Sequence, residues 1–281
     1  MAQAFGPLEE VVASMTQHIV SSDDGESPQK PAANTDLVAE LAAAVQDLPG
    51  SDWATASTCR RYLLARGSDL KKATEMLRGT ILWREEFGAS RLAQEHAECL
   101  RQESATGKLR VSPHSDREGR PVLVMTPALE NTRDHDGNLR NLVYHMDRAC
   151  SRAPDIPGHG EKIVVVLDLR KYSVLSAPPM KTSLATLNIL QSHFPERLHR
   201  FIILHAPRMF VAFFRTIAKF MDPVTKEKVV FVNGSAAEQA ESLATSFDVS
   251  AWEEDLGGQV PFTWDADAYF ASDQVGVSEC L

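Results

Sequence analysis

The sequence is poor in the residues that build metal sites and disulfide scaffolds. It has four cysteines in 281 residues, Cys59, Cys99, Cys150 and Cys280, and none of them forms a CxxC pair. Structural zinc sites and disulfide frameworks both depend on more, and more regularly spaced, cysteines. The nine histidines are scattered along the chain. We therefore expect no metal centre and a reducing compartment, the cytoplasm.

Long apolar runs and basic clusters at the N-terminus are also missing. A bilayer-spanning helix needs about 18 or more consecutive apolar residues, and no segment of the chain approaches this. The N-terminal segment contains Glu9 and Glu10 and lacks the basic start of a secretory or transit peptide. The formal net charge of −9 argues against binding of nucleic acid and limits membrane contact to local, transient encounters.

Common catalytic motifs are absent as well. The sequence has no GxSxG elbow, no GxxxxGK[ST] loop, no GxGxxG after a strand and no HExxH. We therefore expect a protein that is not an enzyme and that needs no cofactor.

The N-terminal part of the sequence has the residue pattern of helices. Residues 8–20 show helical apolar spacing, and a polar Ser, Pro and Asp-rich segment at 21–36 is typical of a flexible linker. The pattern from Leu37 to Gly88 predicts helices, with Gly67 ending one and Ser68 or Asp69 capping the next. A third helix is predicted across residues 89–104.

Beyond Gly107, short Val/Ile-rich runs alternate with helical stretches. Such runs are typical of strands buried on both faces, and their alternation with helices predicts a largely parallel sheet. The predicted strands cover residues 109–111, 121–125, 162–169, 200–206 and 228–233. The predicted helices lie near residues 138–152, 179–193, 208–221 and 236–246. The fold class is therefore α/β, with a helical N-terminal lobe.

These patterns divide the chain into four segments. We predict a flexible N-terminal extension over 1–35 and a helical lobe over 36–105. We further predict an α/β ligand-binding domain over 106–265 and a C-terminal tail over 266–281.

The segment 208–221 is strongly amphipathic. On a helix, its apolar residues share one broad face: Phe210, Phe213, Phe214, Ile217, Phe220 and Met221. Its cations lie on the opposite face: Arg208, Arg215 and Lys219. One interpretation is a surface helix that covers the core. The other is a movable lid over a lipid cavity, with cations that meet phosphates at a membrane surface.

Two turns flank this segment. Pro195, Glu196 and Arg197 precede one predicted strand, and Thr225 and Lys228 precede the next. Glu196 is either a solvated turn carboxylate or a ligand-binding acceptor. Lys228 is either a snorkelling residue at a strand end or a donor to a carboxylate, phosphate or sugar hydroxyl.

Several blocks of the sequence resemble the CRAL-TRIO family. These are lipid-binding proteins of the yeast-type phosphatidylinositol/phosphatidylcholine transfer class. The main block is FPERLHRFIILHAPRMFVAFFRTIAKFMDPVTKEKVVFVNG. The segments CRRYLLARGSDLKKATEMLRGTILWREEFG, DREGRPVLVM and VVVLDLRKYS are similar to further family blocks. AWEEDLGGQVPF resembles the family's closing turn without its proline. The resemblance covers roughly residues 52–262.

The resemblance implies a closed lipid pocket, a mobile gating helix at 208–221, and a headgroup site. In members that bind phosphatidylinositol, the matching headgroup positions are Arg66, Glu196, Thr225 and Lys228. Arg66 departs from the family in being followed by Gly67 and Ser68. Ile163 and Val165 stand where phosphatidylcholine-binding members carry Ser and Thr, so phosphatidylinositol is favoured over phosphatidylcholine. These apolar residues also disfavour a haem pocket.

The family therefore implies a monomeric cytoplasmic carrier whose bound phospholipid is cargo and not a cofactor. Two alternatives stay open. The pocket could hold another hydrophobic ligand, such as a sterol, tocopherol or retinoid. The chain could also be a lipid-sensing regulatory module that binds a partner, with the segment at 8–20 as the feature that favours this.

Overall fold

The structure is a computed structural model that describes residues 35–173, 179–208, 210–211 and 228–277. The predicted helix at 8–20 and most of the predicted linker lie outside these ranges. Within them, no helix is both long and apolar enough to cross a membrane.

The N-terminal part is helical, as predicted. Its helices are α1 (Thr35–Ala43), α2 (Ala56–Ala65), α3 (Leu70–Phe87), α4 (Leu92–Glu95) and α5 (Ala97–Ser104). Asp69 caps α3 by accepting a hydrogen bond from the Lys72 amide, and Gly88 ends that helix in the left-handed conformation. The first three helices share a core whose largest fully buried members are Tyr62, Leu41, Leu63, Leu77 and Ile81.

The rest of the described chain forms the α/β part. Its strands are β1 (Leu109–Ser115), β2 (Pro121–Met125), β3 (Asp155–Ile156), β4 (Gly160–Glu161), β5 (Ile163–Asp168), β6 (Leu198–Leu204) and β7 (Val229–Val232). Its helices are α6 (His135–Ser151), α7 (Met180–His193), α8 (Ala236–Ala244) and α9 (Ala266–Val277).

The main sheet has the order β1-β2-β5-β6-β7. β1 pairs antiparallel with β2, and the remaining neighbours pair in parallel. The α/β class and the largely parallel sheet are therefore confirmed. The short β3–β4 hairpin was not predicted from the sequence, and α9 lies within the segment expected to be a tail.

Each face of the sheet has its own core. On one face, Leu123 and Ile163 pack with Leu142, Val143 and Met146 of α6. On the other face, the strand residues pack against α8 and the segment after it, with Phe247 stacked on Trp252 at 3.9 Å between ring centroids. Burial of both faces explains the unbroken Val/Ile runs.

A buried histidine in α6 makes stability depend on pH. His145 is 0% exposed, and its Nδ1 lies 2.8 Å from the Asn141 carbonyl oxygen. Its Nε2 has no hydrogen-bond partner among the described residues. Burial lowers the pKa of His145 to about 3 from an ordinary value of 6.5. The folded protein therefore keeps this ring neutral where the unfolded chain takes up a proton.

We expect this histidine to destabilise the fold in mild acid. Its folded pKa is depressed, so its contribution is fully present above about pH 6.5 and is lost as the pH falls toward 3. Between about pH 6.5 and 5.5 the loss is about 1 kcal/mol. Urea unfolding at both pH values should show a smaller decrease for His145→Gln than for the wild type. Equal decreases would contradict the assignment.

Candidate functional site

The turn between α7 and β6 carries the predicted residue Glu196. This residue adopts a left-handed backbone with φ 58°, an uncommon conformation for a side chain of its size. Its carboxylate lies 3.7 Å from Lys162 Nζ, and each side chain is 21% exposed. Lys162 directly precedes β5, so the turn is tied to the start of the neighbouring strand.

A second ion pair holds the next residue of the same turn. Arg197 Nη1 donates to Glu161 Oε2 at 2.8 Å and to the Glu161 carbonyl at 2.9 Å. Arg61 of α2 donates to the same carboxylate at 3.1 Å. Burial, followed by the charge of Arg197, lowers the pKa of Arg61 to about 10. Consecutive residues 161–162 thus pair with consecutive residues 196–197 through opposite charges.

The helical part supports the turn from the other side. Tyr62 donates a hydrogen bond of 3.2 Å to the His193 carbonyl. Thr80 Oγ1 lies 3.0 Å from His193 Nδ1, and Trp83 stacks on the His193 ring at 3.9 Å and 4°. Burial, followed by the charge of Arg84, lowers the pKa of His193 to about 4. The end of α7, and with it Glu196, is therefore positioned by α2 and α3.

A cleft of about 250 Å³ lies at this junction of the two parts. Its walls mix aromatic and charged side chains: Trp53, Arg61, Arg84, Asp147, Cys150, Ser151, His193, Phe194, Pro195 and Arg197. Arg84 forms a two-bond ion pair with Asp147, at 2.8 and 3.1 Å. Such a polar lining does not suit acyl chains.

Lys228 and Arg66 take different places around the turn. Lys228 is half-buried and directly precedes β7, and the strand register sets it opposite Arg200 of β6. It shares the amino-terminal edge of the parallel sheet with Glu196. Arg66 is half-buried at the end of α2, before Gly67 with φ 59°. Among the described residues, no ion pair or hydrogen bond joins Arg66, Glu196 and Lys228.

Much of the predicted gate lies outside the described residues. Seven predicted site residues fall there: Phe213, Phe214, Arg215, Ile217, Lys219, Phe220 and Thr225. At the described start of the segment, Arg208 is helical and exposed, and Phe210 is helical and half-buried. The Phe210 ring lies 6.3 Å from the Phe231 ring of β7.

The two faces of strands β5, β6 and β7 differ in exposure. On one face most side chains are no more than 1% exposed: Val164, Val166, Ile202, Leu204 and Val232. On the other face several apolar side chains are half-buried, namely Val165, Leu167, Phe201, Val229 and Phe231, whereas Ile203 between them is 0% exposed. Of these, only Val165 packs against a described core cluster. Contiguous apolar surface of this kind is typical of a ligand site.

The opposite, carboxyl edge of the sheet holds a buried acid. Asp168 is 0% exposed and contacts Arg170 at 2.7 Å and His205 Nδ1 at 3.1 Å. His205 has φ 54° and joins β6 to the segment that begins at Pro207. These contacts fix the direction in which the chain leaves β6 toward the predicted gate.

The closing turn after α8 is held by a buried ion pair. Glu253 is 0% exposed and accepts hydrogen bonds from both terminal nitrogens of Arg110, one at 2.9 Å, and from Ser112. At Gly258, an added Cβ would lie 2.1 Å from the Trp252 carbonyl oxygen, so only glycine fits. The second glycine of the predicted closing turn thus has a steric reason.

The match to known families agrees with this geometry. The model of the CRAL/TRIO domain matches residues 105–258, more than half of the chain. The chain belongs to the CRAL/TRIO domain family. The resemblance inferred from the sequence is therefore confirmed, and the matched range includes the sheet, the turn at 194–197 and the closing turn.

Several curated relatives extend this assignment. A CRAL-TRIO domain-containing protein of Schizosaccharomyces pombe is 33% identical over 179 residues, 64% of this chain and 17% of the relative. Phosphatidylinositol transfer protein PDR17 of Saccharomyces cerevisiae is 32% identical over 198 residues, 66% of this chain and 55% of the relative. SEC14 cytosolic factor of Yarrowia lipolytica is 32% identical over 188 residues, 62% of this chain and 38% of the relative.

In these three alignments the chain spans about half, or less, of the relative's length. Neither transfer protein nor cytosolic factor is the name of an enzyme, which agrees with the expectation of a non-enzymatic CRAL/TRIO protein. The crystal structure of Sfh5 matches with a TM-score of 0.50 and 17% identity, over 74% of this chain and 81% of that one. At this identity the match shows the shared fold.

Sequence reasoning missed the ion pairs at this candidate site. Lys162 pairs with Glu196, and Arg61 and Arg197 pair with Glu161, but none of these pairs was predicted. Lys162 carried a usable signal, because it directly precedes a Val/Ile strand as Lys228 does. The pairing of Glu161 with Arg197 carried no signal in the sequence, since the two residues are far apart in the chain.

Proposed function

We propose that this protein binds phosphatidylinositol in an apolar pocket beside the β5–β7 face and carries it between membranes. The observation that supports this most is the half-buried apolar face of strands whose opposite face is almost completely buried. In a well-packed domain an apolar face is covered by other apolar groups. The acyl chains of a lipid are apolar groups of this kind.

The energetics require a closed pocket. Each methylene removed from water contributes about 0.8 kcal/mol, and a two-chain lipid has on the order of thirty of them. Carrying such a lipid through water with its chains exposed would therefore cost roughly 20 kcal/mol or more. The half-buried face, including Leu167, Phe201 and Phe231, is the apolar floor in this proposal.

The headgroup site in this proposal consists of Arg66, Glu196, Thr225 and Lys228. Glu196 and Lys228 support it by sharing one edge of the sheet. The carboxylate accepts hydrogen bonds from inositol hydroxyls, and the ammonium binds the phosphate. Val165 lies on the apolar face and has no donor for a phosphate, so phosphatidylcholine fits this floor poorly.

Segment 208–221 is the gate in the same proposal. Its phenylalanines close the pocket in water, and Arg208, Arg215 and Lys219 meet membrane phosphates when it opens. A monomer that works in the cytoplasm, in transient contact with membranes, fits this cycle. The relatives named cytosolic factor support the compartment.

The test is to identify the lipid that co-purifies with the protein. Mass spectrometry of an organic extract should find phosphatidylinositol in near-stoichiometric amount. A sterol, tocopherol or retinoid in its place would contradict the assigned cargo, and protein without lipid would contradict the carrier function.

A pair of matched variants locates the cargo. Leu167→Gln places an amide on the apolar face and should reduce bound lipid several-fold, because a polar group without a partner is costly in an apolar pocket. Leu82→Gln changes the same residue type on α3, where Leu82 is 49% exposed, and should leave bound lipid unchanged. Equal lipid content in both variants, with both folded by circular dichroism, would reject this face as the floor.

A further inference from the structure

The cleft between the helical part and the α/β part holds more positive than negative charge. Three guanidinium groups line it: Arg61 of α2, Arg84 of α3 and Arg197 of the turn before β6. Among the described residues they form ion pairs with two carboxylates, those of Asp147 and Glu161. Within this part of the chain, one positive charge is therefore left uncompensated beside a cleft of about 250 Å³.

These cations have little contact with water. None of the three arginine side chains is more than 12% exposed. Arg61 Nε is buried and has no hydrogen-bond partner among the described residues. After burial, the second cause that lowers the pKa of Arg61 is the charge of Arg197, and for the pKa of His193 it is the charge of Arg84. Surplus positive charge in a largely buried place is costly unless an anion compensates it.

Arg197 retains hydrogen-bond donors that face no carboxylate. Both of its bonds to Glu161 start from Nη1. The other edge of the guanidinium, formed by Nε and Nη2, has no hydrogen-bond partner within the described ranges, and neither nitrogen is completely buried as Arg61 Nε is. Two neighbouring N–H groups of this kind match two oxygens of one oxyanion.

The arrangement suits a phosphate group better than a carboxylate. The three guanidinium groups come from three different elements, so their donors need not lie in one plane. A tetrahedral phosphate presents oxygens in several directions, whereas a planar carboxylate is fully used by one guanidinium edge. The cleft is smaller than the pockets of about 300 Å³ or more that hold drug-sized ligands. It therefore fits a phosphate with at most a small substituent.

We propose that this cleft binds one phosphate group, either free phosphate or the phosphate of a lipid headgroup, and that Arg197 holds it through Nε and Nη2. The site is distinct from the proposed headgroup site at Glu196 and Lys228, and it does not depend on the cargo. The bound phosphate neutralises the surplus charge and links α2 and α3 to the turn before β6.

The test is binding of inorganic phosphate to the full chain, measured by equilibrium dialysis against labelled phosphate at constant ionic strength. The wild type should bind one phosphate per chain. Arg197→Lys keeps a positive charge near Glu161 but loses the paired N–H groups, and it should bind phosphate about tenfold more weakly. Ser151→Phe retains all three arginines and fills part of the cleft, so it should also weaken binding.

Arg78→Lys is the matched control. Arg78 also lies on α3 and forms a two-bond ion pair, but its partner is Asp47 and neither residue lines the cleft. This variant should bind phosphate as the wild type does. Loss of binding in Lys228→Ala together with full binding in Arg197→Lys would move the phosphate to the proposed headgroup site and overturn the inference.

A second measurement distinguishes the two sources of phosphate. Phosphatidylcholine vesicles with and without phosphatidic acid are floated with the protein. Binding of inorganic phosphate that depends on Arg197 supports a free phosphate, and Arg197-dependent binding to phosphatidic acid vesicles alone supports a lipid headgroup. Binding of neither probe, or full binding by folded Arg197→Lys and Ser151→Phe proteins, would overturn the inference and leave the proposed transport of phosphatidylinositol untouched.

Discussion

Replacing Lys228 with alanine is expected to reduce phosphatidylinositol transfer by roughly one to two orders of magnitude. A charge-assisted hydrogen bond to phosphate contributes about 1.5–3 kcal/mol, and each 1.4 kcal/mol is a factor of ten. Lys228 is half-buried and directly precedes β7. In the proposed site its ammonium binds the headgroup phosphate, and its removal from the end of a strand should leave the fold intact.

The measurement is transfer of labelled phosphatidylinositol from donor to acceptor vesicles. Lys228→Arg retains the positive charge and should keep a substantial part of the activity. Lys71→Ala removes a lysine of the exposed α3 surface and should transfer at the wild-type rate. Undiminished transfer by a folded Lys228→Ala protein would reject the headgroup assignment.

The largest effect on stability is expected at Glu253. Glu253→Ala should lower the free energy of unfolding by about 3–5 kcal/mol, the usual cost of removing one partner of a buried ion pair. Arg110 is only 4% exposed, so its charge would stay buried and lose the carboxylate that binds it through both terminal nitrogens. Ser112 would lose its acceptor as well.

Urea unfolding measures this loss, and the chain provides a closely matched control. Glu254 is the adjacent glutamate and is exposed, so Glu254→Ala should change stability by no more than about 0.5 kcal/mol. Replacing Arg110 and Glu253 together by Met and Leu should recover most of the loss, because no buried charge is then left alone. Similar stability of the two alanine variants would show that Arg110 finds another partner.

The contacts around His193 also explain how the helical part takes part in the proposed function. Tyr62, Thr80 and Trp83 all contact this residue, and the turn with Glu196 follows it within three positions. The N-terminal helices thus hold the turn, and Tyr62 links it to their own core around Leu63 and Leu77. In this arrangement the helices before the CRAL/TRIO domain position a turn of the proposed binding site.

Local sequence patterns were sufficient to predict an element wherever the residues of that element alone determine its structure. The runs at 122–125 and 163–167 contain only apolar residues, which are typical of a doubly buried strand, and the structure has strands there. Asp69 and Gly88 mark helix ends through backbone chemistry within a few residues. Asp69 was one of the two predicted caps, and Gly88 was the predicted end of the helix. The β3–β4 hairpin was missed because two-residue strands carry no periodicity.

The sequence by itself determined the α/β class and the parallel strands, because burial and turn chemistry depend on short segments. Its resemblance to the family was confirmed, and the headgroup residues that the resemblance implies stay a prediction. Only the tertiary structure decided which strands are neighbours, and therefore that Lys162 meets Glu196 and that Arg61 and Arg197 share Glu161. It also decided that one face of β5–β7 is left half-buried. Pairing across the sheet and exposure of a face depend on residues distant in the chain, and no local pattern specifies them.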